Sequence, residues 1–470
     1  MAKLLVDNAT LTAVQRVLGQ IEVSNLYGID GDITAFESLI QAILFFDDIY
    51  YLDDYITKHK LQRREYFARF FPIELPVEQY QELISGAARI ADRILPVIQG
   101  GRINAGEFKR FIDALRMNLA FTWDLSTSVY YLTIKLLEGS NSTDREKYNK
   151  LAAMIFSELQ EGLPQPNNLD KRAILLDSKG KPIGSDYELR DRSGVIKQSE
   201  ISPQLRYFIA NLNWLALRTT TYTILSNNLG LSLCLHPIRD AFHANLLDRL
   251  EIIDNDTRTT LIKAMNDTGR QTVVSTVMGV QPSVTKQNLP MFLAWLAKNV
   301  GDPDSFIEAA YEMRNKEHFM EARAVFDELD TLRDEDPERF TREANKLLRS
   351  IDKCFASIRE KYHVQTPQGT PLSPIITLWN ATSPSHGFPA LPNLNAKLPI
   401  TLKLPDLSSG WGLRYVYRSL TEDLATVPRL GKLHQVITSK VKRSNKASYY
   451  PLKTEEDKYF GRESFWKIPM

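Results

Sequence analysis

Two cysteines in 470 residues, Cys234 and Cys354, are too few for a disulfide framework or for a zinc site built mainly of thiolates. Both lie in apolar helical patterns, where free cysteine behaves as a small buried hydrophobe. Long apolar runs are also missing. The longest, around Leu212 to Leu235, is interrupted by Arg218, a run of threonines and two asparagines. It falls short of the roughly 20 apolar residues a membrane-spanning helix needs. The Met1-Ala-Lys-Leu-Leu-Val-Asp start has no apolar segment of signal-peptide length, so the expected compartment is the cytoplasm. An excess of one charge is absent too: 58 Lys and Arg against 57 Asp and Glu leave a net +1. A whole-chain attraction to nucleic acid or to an anionic membrane is thereby excluded, and only local patches remain. Nor is there a Walker A loop, a G-x-G-x-x-G, a G-x-S-x-G, an H-E-x-x-H or a paired C-x-x-C. These absences speak against most phosphate-cradling and nucleophile-elbow enzymes.

What is present is ordinary globular material, 43% apolar and 24% charged. Apolar residues recur mostly at helical spacing, which predicts a mainly α protein, a multi-helix bundle or helical array. Thr34 and Glu37 form a capping box ahead of a helix to Phe46, and Ile49-Tyr50-Tyr51-Leu52 is a candidate short strand. Helices are expected at about 60–70, 77–98, 104–121, 123–138 and 143–161, completing an N-terminal helical domain over 1–165. Residues 166–202 read as a polar, hairpin-like insertion, with Gly180 turning the chain between Ile174-Leu-Leu-Asp and Tyr187-Glu-Leu. A second helical domain, 203–365, has helices at 203–229, 237–251, 256–267, 271–278 and 288–300. It ends in a long antiparallel hairpin from Asp304 to Tyr362. The first hairpin helix runs to about Leu332; Asp336 caps the second, with Pro337 at its first position. In 366–470, eight prolines between Pro367 and Pro405 predict an irregular, basic and mostly non-helical region.

Four constellations have residue types suited to chemistry. Asp47-Asp48-Ile-Tyr-Tyr-Leu-Asp53-Asp54 pairs carboxylates as a hard cation such as Mg²⁺ requires; no other cofactor is expected. This DDxxxxD pattern resembles the first aspartate-rich motif of prenyl-transferring terpenoid synthases, although the arginine pair is displaced to Arg63-Arg64 and Asn266-Asp267 lacks the second motif's partners. His236, Asp240 and His243 are metal-ligand types, but Pro237 at the first helical position puts His236 in the cap, where packing explains it, with Arg239 and Asp240 as surface charges. Arg239-x3-His243 and Arg314-x3-His318 resemble the Arg-polar-x3-His motif of HEPN-type ribonucleases, each one residue shorter. An i,i+4 pair shares a helix face, and the resemblance implies that Arg and His handle a phosphate and a 2′-OH. From Gly431 to Lys453 the chain has Lys432, Lys440, Lys442, Arg443, Lys446 and Lys453 and no acid, with His434, Tyr449 and Tyr450 interleaved. Cations for phosphates and rings for bases suit a nucleic acid or another acidic partner.

Two stretches, Leu229-Gly-Leu-Ser-Leu-Cys-Leu-His236-Pro-Ile-Arg239 and Phe306-Ile-Glu-Ala-Ala-Tyr-Glu-Met-Arg314-Asn, resemble segments of uncharacterised helical proteins from bacteria. So does the amino-terminal helix ending in Asp-Asp. The resemblance spans about a fifth of the chain and implies a bacterial origin, with host antiviral defence as the setting, but no activity. The sequence therefore leads to a non-enzymatic helical scaffold or regulatory protein that binds a protein or nucleic acid through its basic C-terminal segment. The competing reading is a HEPN-like or metal-dependent nuclease, or another phosphate-handling enzyme, using Arg314/His318, Arg239/His243 or the Asp47–Asp54 cluster.

Overall fold

Leu4-Leu5-Val6 is a continuous apolar run closed by an aspartate, the pattern of a strand buried on both faces. It forms β1 (Lys3–Val6) at the centre of a four-stranded sheet with β2 (Asp48–Leu52), β3 (Phe71–Ile73) and β4 (Ser232–Cys234). The order is β3-β2-β1-β4 and every pairing is parallel; Val6 faces both Tyr51 and Cys234 across the ladders. The computed structural model describes residues 2–23, 26–54, 57–94, 203–250, 256–278, 289–364 and 410–444. It also gives five two-residue strand pieces at 98–99, 102–103, 175–176, 189–190 and 196–197. Helix dominates, at 75% of the well-placed residues, with 13 helices among those described. The chain is mainly α, as its periodicity predicts, and the small parallel sheet is the addition.

The helices are α1 (Asn8–Val17), α2 (Ile29–Phe45), α3 (Thr57–Tyr66), α4 (Val77–Ile94), α5 (Pro203–Leu229), α6 (Pro237–Leu250), α7 (Thr257–Met278) and α8 (Met291–Asn299). They continue as α9 (Phe306–Arg314), α10 (Glu317–Glu335), α11 (Pro337–Lys361), α12 (Trp411–Ala425) and α13 (Leu430–Ile437). Side chains alternate across a strand, so the sheet separates two apolar clusters. Leu4 and Val6 join the large core with α1, α2 and α7–α13, while Leu5 and Leu52 pack with Tyr222, Leu225 and Leu235 in the smaller one beside α4 and α5. At the heart of the large core Phe45 meets Phe292, Phe319 and Phe326 at centroid distances of 5.8, 5.8 and 5.9 Å.

Several boundaries differ from the sequence expectation, each for a physical reason. Helix α2 begins at Ile29, so Thr34 lies inside it and its hydroxyl donates to Asp30 O (2.9 Å). Glu37 does not close a capping box. It accepts the N–H groups of Phe292 (3.1 Å) and Leu293 (2.8 Å) and so caps α8, 255 residues away. The helix expected from Asp304 to Leu332 is two, α9 and α10, separated at Asn315 and Lys316. The turn is held from the side: Arg323 Nη1 donates to Arg314 O (2.9 Å) and Leu44 O (3.1 Å). The second hairpin helix is as expected, with Asp336 accepting from Arg339 N (3.0 Å) and Phe340, Ala344, Leu347, Ile351, Phe355 and Ile358 buried.

In 366–470, α12 and α13 occupy part of the stretch expected to be mostly non-helical. The prolines that carried that expectation end at Pro405, and Leu413, Val416, Tyr417, Leu420 and Leu424 then recur at helical spacing and are buried. In the insertion, Leu175–Leu176 pairs parallel to Ile98–Gln99, and Leu189–Arg190 pairs antiparallel to Ile196–Lys197. The hairpin turn expected about Gly180 and the helices expected at 104–121, 123–138 and 143–161 lie outside the described residues.

Candidate site at the switch point of the sheet

With the order β3-β2-β1-β4, the chain steps from β1 through β2 to β3 in one direction and returns to the far side of β1 as β4. In open parallel sheets the crevice at the carboxyl ends of the strands flanking such a reversal is where ligands bind. Here that place is occupied by Asp7 and Asn8, which follow β1, and by His236 and Arg239, which follow β4.

All four are buried, with exposures of 0–2%. The Asp7 backbone N–H donates to Cys234 O (3.0 Å), fixing the end of β1 against β4. Its carboxylate caps α1 through Thr10 N (2.8 Å), accepts His236 N (3.3 Å) and takes Arg239 Nη1 (3.2 Å). Arg239 also donates to Asn8 Oδ1 (2.9 Å), and Asn8 N donates to the Tyr222 hydroxyl (3.1 Å) on α5. On the other side Arg16 of α1 grips Asp32 of α2 with two nitrogens, at 2.9 and 2.6 Å. His236 Nδ1 accepts the N–H of Ile238 (3.4 Å), which puts the ring proton on Nε2. That Nε2 lies 3.6 Å from Asp32 Oδ1, within ion-pair reach and beyond a hydrogen bond. Burial pushes the Asp32 carboxyl up, but Arg16, with His236 beside it, outweighs this and holds it below the ordinary value. Burial pushes the neighbouring Cys234 thiol far up, which disfavours the thiolate.

The network continues along α5. Arg218 pairs with Asp54, donates to the Tyr222 hydroxyl (3.2 Å) and lies over the Trp214 ring. Tyr80 of α4 donates to Asp54 Oδ2 (3.2 Å). Arg63 of α3 donates to Thr12 and Gln15 of α1. Each described carboxylate of the centre already faces a guanidinium.

That arrangement bears on whether the four aspartates can hold a metal. Asp47 and Asp48 stand at the start of β2, and Asp53 and Asp54 at its end; the four strand residues Ile49, Tyr50, Tyr51 and Leu52, at about 3.3 Å each, separate the pairs. Asp47 accepts Ala2 N (2.8 Å) and sits 3.5 Å from Arg323, while Asp53 is bound by Arg64 and Asp54 by Arg218. No group of three or more His, Cys, Asp or Glu residues is placed to hold a metal among the described residues. The four aspartates do not fit a Mg²⁺ site.

Arg314 and His318 stand on different helices. Arg314 ends α9, donates to Asp47 O (3.0 Å) and covers the Tyr311 ring, whereas His318 belongs to α10 and lies against Tyr415, at 4.9 Å between centroids. Burial and then Lys316 push the His318 pKa down. Arg239 turns inward to Asp7 and Asn8 and is not the surface charge expected of it; half-buried His243 follows one turn later on α6. Asp240 does lie outward, paired with Lys263 (3.0 Å).

The basic segment is docked on the helical body up to Ser444. Lys440 reaches Asp304 (2.7 Å) and Asp302 (3.3 Å), Val23 N donates to Lys442 O (2.8 Å), and Ser444 N donates to Val23 O (2.9 Å). Gly19 makes this approach possible. It has φ +69°, and a Cβ there would collide with the Lys440 carbonyl oxygen. Arg429, Lys432, Lys442 and Arg443 remain exposed, and no acid occurs between Arg429 and Ser444. Lys446 lies outside the described residues.

No protein-family model, curated protein or solved structure matches the chain. Residue by residue, the sequence reading missed Asp7, Asn8, Arg16, Asp32 and Arg218. The available signal was Asp-Asn closing the apolar Leu4-Leu5-Val6 run, and His236-Pro237 closing Leu233-Cys234-Leu235. Each marks a strand end before a helix, but nothing local says that the two ends are neighbours.

Proposed function

We propose that the protein is a non-enzymatic helical scaffold or regulatory protein that binds nucleic acid through its basic C-terminal segment, in a cytoplasmic setting. The observation that carries this reading is the fixed, exposed set Arg429, Lys432, Lys442 and Arg443, in a stretch without acids, anchored to the body by Lys440 and by the pairing of 442–444 with Val23. Cations held on an ordered surface neutralise phosphates and release counterions, without ordering a floppy tail at the moment of binding. The placement of Arg314 and His318 on different helices, and of Asp47 and Asp48 at the opposite end of β2 from Asp53 and Asp54, favours this reading over a nuclease that uses those residues. No helix among the described residues is long and apolar enough to cross a membrane.

The test is anisotropy titration of a labelled single-stranded RNA and a DNA duplex between 50 and 200 mM salt. Binding should weaken steeply with salt, and Lys432→Ala/Lys442→Ala/Arg443→Ala should flatten the slope by about 0.7–0.9 for each phosphate no longer neutralised. Unchanged affinity in the triple variant, or no salt-dependent binding by the wild type, sinks the reading; in the second case an acidic protein becomes the partner to seek.

A further inference from the structure

We propose that the switch point between β1 and β4 is itself a binding site, separate from the basic segment, for a small oxyanion of the phosphate class. Three independent features meet there. The first is topology, which places the ends of β1 and β4, and hence the N-termini of α1 and α6, side by side. The second is charge. Arg16 balances Asp32 and Arg239 balances Asp7, while each helix N-terminus adds roughly +0.5, so the centre carries about +1 that its own carboxylates do not offset. An anion is attracted by that field and a metal ion repelled. The third is a pair of donors. Thr10 Oγ1 and His236 Nε2, on side chains that are 0% and 2% exposed, make no hydrogen bond among the described residues, with His236 Nε2 facing the Asp32 carboxylate at 3.6 Å.

The two residues flank one carboxylate, since the backbone N–H groups of Thr10 and His236 both donate to Asp7 Oδ1, at 2.8 and 3.3 Å. A buried donor left unmade costs about 1–3 kcal/mol, and an acceptor reaching these two beside a positive helix end would recover that cost. Phosphate oxygens are acceptors that take N–H and O–H donors at once, and helix N-termini are their common seat. The centre is closed in this structure, so the ion enters through an opened minor state. The measured affinity is then the intrinsic one reduced by the open fraction.

The experiment is thermal unfolding of the full chain titrated with inorganic phosphate or with a 5′-mononucleotide, each against chloride at matched ionic strength. A ligand that binds only the folded state raises Tm with concentration. The expected result is a saturable rise with phosphate. A mononucleotide saturating at lower concentration assigns the phosphate of a nucleotide; equal or weaker response assigns the free ion.

Thr10→Val is the decisive variant, since it keeps the shape and the capping N–H and removes only the hydroxyl. It should fold as well as wild type and need about tenfold more phosphate for the same rise; His236→Phe should act likewise. No phosphate response beyond chloride in the wild type overturns the proposal, and so does a Thr10→Val titration superimposable on wild type. Because Lys432, Lys442 and Arg443 take no part, the triple variant should keep its phosphate response even if it loses nucleic acid.

Discussion

At the scale of single residues, the buried arginines dominate. Arg239 is 0% exposed and Arg16 3%, and each is held by one aspartate at the switch point. Removing one partner of such a pair leaves a buried charge unbalanced, at a cost of about 3–5 kcal/mol. Asp32→Asn is therefore expected to destabilise the fold by that order at neutral pH. The sign of its pH dependence follows from the depressed pKa of Asp32. Its stabilising contribution is present above the unfolded value near 3.8 and disappears as pH falls through the lower folded value. Denaturant melts of wild type and variant should converge at low pH; a difference that stays constant down to pH 2 would refute the ion-pair account. The same residues explain why sequence reading ranked Arg239 as a surface charge. A charged side chain on an amphipathic helix is normally solvated, and only the aspartate closing β1, 232 positions away, makes burial tolerable.

At the scale of elements, three helix starts were legible and several boundaries were not, among them the break expected between 267 and 271, where α7 runs on without interruption. Asp336-Pro337, Pro203 and Pro237 mark their helices locally, through a capping carboxylate or a fixed φ at the first position. Asp336→Ala should cost about 1 kcal/mol in an unfolding titration. Glu37 shows the opposite case. Its spacing from Thr34 imitates a capping box, yet its carboxylate serves the N-terminus of α8, so a motif correct in form was assigned to the wrong helix. The division between α9 and α10 was hidden as well, because the arginine that holds the turn, Arg323, comes from the following helix. Element packing also sets a glycine requirement. Gly412 N donates to Glu321 (2.8 Å), and a Cβ at 412 would meet the His318 carbonyl oxygen and the Glu321 carboxylate. Gly412→Ala should separate α12 from α10, seen as reduced protection of both helices in hydrogen exchange together with a lower Tm; unchanged protection would show that the helices shift to accept it.

At the scale of the whole molecule, the C-terminal segment and the first helix are tied together through Gly19, Val23, Lys440 and Lys442. Gly19→Ala carries both the collision with Lys440 and the strain of a positive φ. It should release residues 440–444 to proteolysis while leaving the large core intact, and it should lower nucleic-acid affinity if those cations work from a fixed surface. Equal proteolysis of variant and wild type would show that Gly19 is not the hinge of this contact.

The division of labour between sequence and tertiary structure is clear at this scale. Helical periodicity, proline positions and the scarcity of cysteine determined a mainly α chain, the α10–α11 hairpin and the strand at Asp48–Leu52, because each is written within a few neighbouring residues. Only the tertiary structure decided that Leu4-Leu5-Val6 and Leu233-Cys234 lie side by side, and therefore that Asp7, Asp32, His236 and Arg239 share one buried centre. Parallel strands pair through crossovers rather than turns, so their register leaves no local mark. A site assembled at their ends comes into being only when the chain has closed on itself.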